Sequence, residues 1–421
     1  MMRKLTTSIS IMLVLSLFTS IVTTADQNGL IQKNGTSLFP LGFYELPKND
    51  ADLKRMAESG VNLIRCGSKK DLDRLHAVGV KGVISLPLQN GATDKLKQTI
   101  LELKDHPALA VWEGPDEIAW NFTAYSKLFR TQKIHKVSGA WWKQTPTAVE
   151  YARQKAEIII PNMRDAVDLI RKLDKKNHPV WINEALESDL QYVRQYLKFV
   201  DITGCDTYPV NKDRPRVYRM GQAVDRWQVV GKGKPIWMVL QAFSWHELGD
   251  YYGAKEIVYP TFDESRFMAY NVITHGAKGI LYWGSAYLKN DQFRQSVYAL
   301  TSELAAIQPF LTAPEQENLN INLAEMVDEE KYTRGVSHSV RRIDDDWLII
   351  LVNEDDIWHM GVELTGLEQL EGKTVFELYS SQNNEILDGA LATRLAPYGV
   401  KVFATSNKWE TQKKAGRDFV E

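Results

Sequence analysis

The sequence predicts an α/β protein, a (β/α)8 barrel followed by a small antiparallel β-sandwich. Short apolar runs alternate with amphipathic helical stretches at intervals of roughly twenty to thirty residues, which is typical of a parallel sheet with short loops. A doubly wound open sheet is the alternative, but no glycine-rich phosphate loop follows the first strand. From about Leu319 the pattern changes to alternation of apolar and polar residues, as in half-buried antiparallel strands.

The barrel elements follow one another in eight strand–helix units. The predicted strands are 39–46, 61–66, 80–86, 107–111, 180–184, 200–206, 235–243 and 279–284. The predicted helices are 51–59, 72–78, 93–104, 147–175, 190–199, 218–230, 263–275 and 292–308. Gly60, Gly79 and Gly276 end three of these helices, in the cap position that glycine favours. Pro161 is expected to kink or divide the fourth helix, 147–175.

The chain divides into four segments by composition. Residues 1–25 are predicted to be a signal peptide, with a basic start, an apolar stretch and the small residues Thr23-Thr24-Ala25 before Asp26. The barrel is expected at 26–317, with a long insertion at 119–176 after strand four, and the sandwich at 318–405. The polar tail 406–421 is expected to be frayed. This organisation predicts a secreted or periplasmic protein without a membrane span.

Composition narrows the function classes. The formal net charge is −2 and there is no basic run, which argues against a nucleic-acid partner. No motif has metal-ligand spacing, and no cofactor is implied. Twelve Trp residues suit stacking against sugar rings, although Trp also fills cores. The only two cysteines, Cys66 and Cys205, fall on opposite predicted strands, so two free thiols are expected.

Candidate functional residues are selected by the rule that barrel active sites lie at the carboxyl ends of the strands. The stretch Ala110 to Ile118 is the richest, because an apolar strand ends there in Trp112 and three carboxylates, Glu113, Asp116 and Glu117. Crowded carboxylates beside a Trp are expected to raise at least one carboxyl pKa, which suits a general acid. The other strand ends contribute Glu45, Arg65, Glu184, Asp206, Tyr208, Gln241, Trp245 and Trp283. Carboxylates with aromatic platforms at a barrel mouth suit glycosidic bond cleavage.

These motifs resemble those of the large clan of barrel glycoside hydrolases. Trp112-Glu113-Gly114-Pro115-Asp116-Glu117 resembles its strand-four signature, Trp followed after a short spacer by Asn-Glu. Cys205-Asp206-Thr207-Tyr208-Pro209 and Tyr282-Trp283 resemble its strand-six and strand-eight segments. The resemblance implies a carbohydrate substrate, with Glu117 as the acid/base, Tyr208 near the nucleophile and Trp283 on the floor of the sugar subsite.

Two positions depart from the clan pattern. The clan's Asn is Asp116 here, and the strand-seven nucleophile, a Glu in the clan, is Gln241. An amide is too poor a nucleophile to form a covalent glycosyl intermediate, so the retaining mechanism is in doubt.

Three interpretations remain. In the first, the enzyme inverts: Glu117 is the acid, and Asp206, Glu184 or Glu113 activates water. In the second, Asp116 and Glu117 act as a pair in substrate-assisted cleavage of N-acetylated sugars, and Gln241 orients the substrate. In the third, the protein binds carbohydrate without cleaving it. The sequence does not identify the sugar or the oligomeric state.

Residue roles follow from these interpretations. Glu117 is the expected proton donor, and Asp116, Asp206 and Glu184 are candidates for the base or an orienting group. The expected substrate-binding residues are Glu45, Arg65, Trp112, Glu113, Tyr208, Gln241, Trp245 and Trp283. The distance from Glu117 to the nearest other carboxyl across the barrel mouth is the deciding measurement. About 5 Å favours retention and a wider gap favours inversion.

Overall fold

The computed structural model describes residues 29–33, 35–125, 141–211, 215–249, 254–323, 334–411 and 416–420. The predicted signal peptide lies outside these residues, as does the segment 126–140 of the predicted insertion. None of the helices in the described residues combines the length and the apolar character that a bilayer crossing requires.

Eight parallel strands close into a barrel, which confirms the predicted fold class. Numbered in chain order over the whole molecule, they are β3 (Leu41–Phe43), β4 (Leu63–Cys66), β5 (Lys81–Ser85), β6 (Leu109–Glu113), β7 (Val180–Ala185), β8 (Ile202–Asp206), β9 (Ile236–Gln241) and β10 (Gly279–Trp283). The ring closes where β10 pairs with β3. Neighbouring strands approach so closely at Gly42 and Gly204 that an added Cβ would lie about 2 Å from a carbonyl oxygen of the next strand.

A short antiparallel hairpin, which was not predicted from the sequence, covers the amino-terminal end of the barrel. Its strands are β1 (Ile31–Lys33) and β2 (Thr36–Leu38). The Trp237 indole, near the start of β9, donates a 3.0 Å hydrogen bond to the Gly29 carbonyl just before this hairpin. Ile31 packs with Trp181 and Trp237 in the barrel interior. This end of the barrel is therefore filled, and only the opposite end is available for a site.

Helices surround the barrel. They are α1 (Asp50–Glu58), α2 (Lys69–Ala77), α3 (Asp94–Leu103), α4 (Ile118–Phe122), α5 (Pro146–Leu173), α6 (Leu190–Tyr196), α7 (Arg219–Gly231), α8 (Phe262–Thr274), α9 (Asp291–Ala306) and α10 (Gln308–Thr312). Side-chain caps begin several of them; the Ser68 hydroxyl, for example, accepts from the Asp71 N–H at the start of α2. The helix α5 continues through Pro161 and is not divided there.

The carboxyl-terminal part is a two-sheet β-sandwich, as predicted. One sheet contains β11 (Asn320–Leu323), β14 (Met360–Thr365) and β17 (Ala390–Leu395). The other contains β12 (Val336–Ile343), β13 (Asp346–Asn353), β15 (Thr374–Glu377), β16 (Asn383–Glu385) and β18 (Val400–Ala404). The buried Arg341 ties β12 to the segment after α9, because it forms an ion pair with Glu315 and donates 2.6 Å to the Leu311 carbonyl.

The two remaining predictions on organisation had different outcomes. Cys66 and Cys205 are both buried free thiols, as expected. The expectation of a frayed tail is wrong for its described part. Arg417 Nη1 lies 2.5 Å from Glu303 Oε2, and the Phe419 carbonyl accepts from the Phe262 N–H at the start of α8. An ion pair to a fully buried carboxylate fixes this segment against the barrel helices.

Candidate active site

A cavity of about 1210 Å³ opens at the carboxyl ends of the barrel strands. Its floor is acidic, with Asp116 and Glu117 after β6 and Asp206 at the end of β8. Its remaining walls come from aromatic residues, from arginines and from two loops of the sandwich. These wall residues include Trp120, Tyr125, Glu187, Tyr208, Arg216, Tyr218, Arg219, Trp245, Trp283, Arg334 and Asp356.

Local backbone geometry places Glu117 at the cavity floor. After β6 the chain passes through Gly114, where an added Cβ would lie 2.6 Å from Ile182 Cγ1. Glu117 then adopts a left-handed conformation, φ 49° and ψ 42°, at the start of α4. Its N–H donates 3.0 Å to the Asn183 carbonyl of the neighbouring strand. A non-glycine residue in this region costs about 1–3 kcal/mol and persists where the surroundings enforce it, which is common at functional sites.

The carboxyl groups of Glu117 and Asp206 are hydrogen-bonded to each other. Burial raises the pKa of Glu117 to about 8, and the negative charges of Asp116 and Glu184 add to the effect. Burial, together with the charges of Glu117 and Asp116, also raises the pKa of Asp206 well above its usual range. Two carboxyls in contact cannot both ionise cheaply, so the pair holds a proton at neutral pH.

Asn183 links the acidic groups. Its side-chain amide donates 3.1 Å to Asp116 Oδ1 and 2.9 Å to Asp206 Oδ2. Tyr44 and Tyr208 contribute further donors, at 3.5 Å to Asp116 and 3.2 Å to Asp206. Burial raises the pKa of Asp116, while these donors oppose the rise. Asn183, at the end of strand five, is not among the candidate residues predicted from the sequence. The alternation of side chains along a strand could have identified Asn183. Trp181, two residues earlier on the same strand, faces the barrel interior, so Asn183 faces it too.

Aromatic rings form one wall of the cavity. Tyr208 and Trp283 are stacked, with ring centroids 5.5 Å apart and planes inclined by 26°. The Trp245 indole donates 3.2 Å to the Tyr208 carbonyl, which fixes a third ring beside them. Three of the four predicted aromatic residues, Tyr208, Trp245 and Trp283, therefore line the cavity. Trp120, on the side of α4, supplies another ring and packs against Trp142 at 6.0 Å.

Two of the carboxylates predicted from the strand ends do not line the cavity. Glu113 is fully buried and forms an ion pair with Arg65, and burial raises its pKa to about 7 despite that pair. Glu184 is also fully buried, and its oxygens accept from the backbone N–H groups of Ala119 and Trp120, at 2.8 and 3.4 Å. The hydroxyls of Ser188 and Tyr196 complete the set of donors to Glu184. Glu184 therefore anchors the start of α4 and is not positioned to activate water.

Three further residues that were expected to bind substrate have structural contacts instead. The Trp112 indole points away from the barrel interior and donates 2.9 Å to Asp174. Glu45 accepts from Gly284 and Ser285, and so fixes the loop after β10. Arg65 is held by Glu113 and packs over the Tyr44 ring.

Gln241 is fully buried, and its amide is used entirely on backbone groups. It accepts from the Val210 N–H at 3.0 Å and donates to the carbonyls of Val210 and Phe243 at 2.9 and 3.0 Å. It therefore joins the loop after β8 to β9 and does not reach the cavity.

Three arginines on the cavity lining were not predicted from the sequence. Arg216 and Arg219 lie in the turn that begins α7, and Arg334 precedes β12 in the sandwich. No sequence signal placed Arg334 there, because it is more than a hundred residues from the barrel elements that it joins. In the part of the chain that the structure describes, no three His, Cys, Asp or Glu side chains form a cluster that could hold a metal ion.

Comparison with known proteins places the fold among those of glycoside hydrolases. No protein-family model matches the chain, and no curated protein matches it. The fold is similar to a β-galactosidase from Bacillus circulans sp. alkalophilus, with a TM-score of 0.54 and 9% identity over 87% of this chain and 99% of that one. It is also similar to an arabinofuranosidase, with a TM-score of 0.54 and 10% identity over 87% and 96% of the two chains. Identities this low establish a shared fold only.

Proposed function

We propose that the protein is an exported glycoside hydrolase that cleaves O-glycosidic bonds in oligo- or polysaccharides, with Glu117 as the general acid. The observation that carries the proposal is the Glu117–Asp206 pair at the floor of an open, aromatic-walled cavity. The shared fold of glycoside hydrolases supports it. A pKa raised to about 8 keeps the carboxyl of Glu117 protonated at neutral pH, which is the state that a proton donor needs.

In the proposed reaction Glu117 protonates the leaving glycosidic oxygen. Loss of that proton is assisted by Asn183 and Tyr208, which donate to the neighbouring Asp206 and stabilise negative charge on the pair. The stacked rings of Tyr208 and Trp283 provide an apolar platform against which one face of a sugar ring packs. Each of these groups lines the cavity or contacts a group that does.

The inverting form of this reaction needs a base roughly 6.5–9.5 Å from the acid. Asp206 contacts Glu117 directly and is therefore assigned to holding the shared proton, not to activating water. Asp116, Glu187 and Asp356 are the other carboxylates on the described cavity lining, and Glu187 and Asp356 are each paired with an arginine, at 3.2 and 2.6 Å. An inverting mechanism would use one of these three as its base.

Substrate-assisted cleavage of N-acetylated sugars is the second candidate, and the environment of Gln241 favours it. The position that would carry an enzyme nucleophile is an amide bound to three backbone groups, so a nucleophile from the substrate would fill the gap. Asp116 lies beside Glu117, and its described hydrogen bonds, from Asn183 and Tyr44, both use Oδ1. A carboxylate held in this way would orient the acetamido group of a bound sugar.

Turnover of a panel of neutral, acidic and N-acetylated oligosaccharides tests the proposal. Glu117→Gln should lower kcat by about 10²-fold or more, the usual contribution of a general acid. The matched control is Glu102→Gln, an exposed change on α3, which should leave turnover intact. Equal turnover by wild type and Glu117→Gln would reject the assigned role. A wild-type protein that cleaves nothing, yet melts at a higher temperature with an oligosaccharide, would be a carbohydrate-binding protein instead.

Export is a separate part of the proposal, and it depends on the first 25 residues. Expression of the full chain should yield an extracellular or periplasmic protein whose amino terminus, read by sequencing, begins near Asp26. A protein retained in the cytoplasm with Met1 intact would contradict it.

A further inference from the structure

Three arginines that the proposed chemistry does not use lie on the cavity lining. We call Arg216, Arg219 and Arg334 the arginine wall. A cavity built only to hold neutral sugars and donate a proton needs hydroxyl and carboxylate contacts, and guanidinium groups are not required for either. The presence of these arginines on the lining therefore needs a reason other than the proposed chemistry.

Two members of the arginine wall are paired with carboxylates. Arg219 lies 3.2 Å from Glu187, and Arg334 lies 2.6 Å from Asp356. Arg334 also packs over the Tyr218 ring at 4.1 Å, which orients its plane. These pairs account for two of the carboxylates on the lining, and the other three are at the acidic floor.

Within the described residues, Arg216 has no such partner. Its side chain is exposed to the cavity, and no carboxylate in the described residues forms an ion pair with it. At the acidic floor, Asp116 is held by Asn183 and Tyr44, and Glu117 and Asp206 are held by each other. Among the described residues that line the cavity, Arg216 is therefore a cationic group whose charge no described carboxylate neutralises.

The turn that carries Arg216 is rigidly braced. The Arg219 N–H donates 3.0 Å to the Arg216 carbonyl, and the Met220 N–H donates 3.1 Å to the Val217 carbonyl. From the sandwich, the Tyr398 hydroxyl donates 3.3 Å to the Pro215 carbonyl. Val217 is fully buried and anchors the turn from below. An arginine on a fixed turn loses little further backbone freedom when it binds, which favours specific recognition over a loose surface contact.

We propose, resting on the hydrolase function above, that the substrate is an anionic glycan whose carboxylate or sulfate group binds Arg216 at the arginine wall while a neighbouring glycosidic bond lies over Glu117. Arginine presents a planar fork of donors that matches both kinds of anion. The acidic floor of the same cavity repels such a group, so the arginines and the floor together favour one direction in which the glycan lies.

Binding to the full-length Glu117→Gln protein tests the proposal without turnover. The probes are tri- and tetrasaccharides of galacturonic, glucuronic and mannuronic acids, sulfated galactan oligosaccharides, and galactotetraose as the neutral reference. At least one acidic probe should bind by calorimetry more tightly than galactotetraose, with an affinity that falls as salt is raised. Arg216→Gln should weaken that binding by about 10- to 100-fold, the usual worth of a hydrogen bond to a charged group. Uronic and sulfated probes distinguish the two sources of the anion.

The matched control is Arg194→Gln, an exposed arginine on α6 that does not line the cavity, which should leave binding unchanged. The inference is overturned if no acidic probe binds, if galactotetraose binds as tightly, or if Arg216→Gln and Arg194→Gln have the same effect. Arg216-dependent binding of a probe that the wild type never cleaves would support the inference and reject the hydrolase. Cleavage of galactotetraose at least as fast as of every acidic probe, in wild type and Arg216→Gln alike, would support the hydrolase and reject the inference.

Discussion

Glu303 and Glu117 are both carboxyl groups withdrawn from water, but their pKa values move in opposite directions. Glu303, on α9, is completely buried, and burial alone would raise its pKa; the positive charges of Arg266 and Arg417 reverse this and lower it. Glu117 is less buried, and its neighbours Asp116 and Glu184 push its pKa further up, to about 8. The sign of the partner charge, more than the depth of burial, decides which carboxyl stays ionised and which keeps a proton.

The largest expected effect is on stability at Glu303. Glu303→Gln leaves Arg266 and Arg417 without their counter-charge, so we expect the free energy of unfolding to fall by about 3–5 kcal/mol. Glu117→Gln removes a carboxyl from a site crowded with like charges and should not lower it. Chemical denaturation at pH 7 measures both. Equal losses in the two variants would contradict the opposite effects of partner charge on Glu303 and Glu117.

A second prediction concerns a new carboxyl at Gln241. Gln241→Glu would place a carboxylate oxygen against the carbonyls of Val210 and Phe243, with no cation in contact. We expect a loss of about 2–4 kcal/mol at pH 8. A pKa raised above that of the unfolded chain means stability is lost as pH rises, so the deficit should shrink at pH 5. Gln241→Met is the control, with a smaller loss that does not depend on pH. A gain in turnover in Gln241→Glu would mean that this position can act as a nucleophile.

Asn183 sharpens the comparison at the acidic floor, because its donors lower the pKa of both Asp116 and Asp206. Asn183→Ala should raise both pKa values, move the acidic limb of the rate profile to higher pH and reduce kcat by roughly 10- to 100-fold through loss of positioning. Asn322→Ala, at an exposed site in the sandwich, is the control. A uniform loss of rate at every pH would indicate a structural role only.

The smallest effect is expected at His275. This side chain lies between two carboxylates, whereas Glu303 is a carboxylate between two arginines. Burial opposes its protonation, but the carboxylates of Glu354 and Asp225, at 2.6 and 2.8 Å, raise its pKa to about 9. The resulting stabilisation is fully present below pH 6.5 and is lost as pH rises through about 9. We expect about 1–2 kcal/mol, reduced because Asp225 is partly exposed to solvent. His275→Gln should flatten the pH dependence of the melting temperature, and His76→Gln, an exposed control, should not.

Strand alternation explains how much of the site could be predicted. The apolar runs marked all eight barrel strands, because parallel strands covered on both faces are almost continuously hydrophobic. Within a run, however, the direction of each side chain depends on its parity. On β7, Trp181 and Asn183 face inward, whereas Glu184 faces the helices. The same rule turns Trp112 outward while Glu113 faces inward. Applying this parity to the sequence would have removed Glu184 and Trp112 from the candidate set.

Other features could not be read from the sequence, because they depend on contacts between distant segments. The backbone partners of Gln241 lie on the loop after β8, and the carboxylate that binds Arg417 lies on α9. The hydrogen bond between Glu117 and Asp206 also joins two strand ends whose separation the sequence does not give. In each case the sequence shows the residues, but it does not show which of them are in contact.

Arg334 and Asp356 come from the sandwich and yet border the cavity in the barrel. Under the proposed function, selectivity can therefore be altered from a domain that does not carry the proposed acid, Glu117. A library of substitutions confined to these two sandwich loops would sample new specificities while the catalytic scaffold remained untouched. Deleting the sandwich, by contrast, would remove both Arg334 and Asp356 from the lining of the cavity.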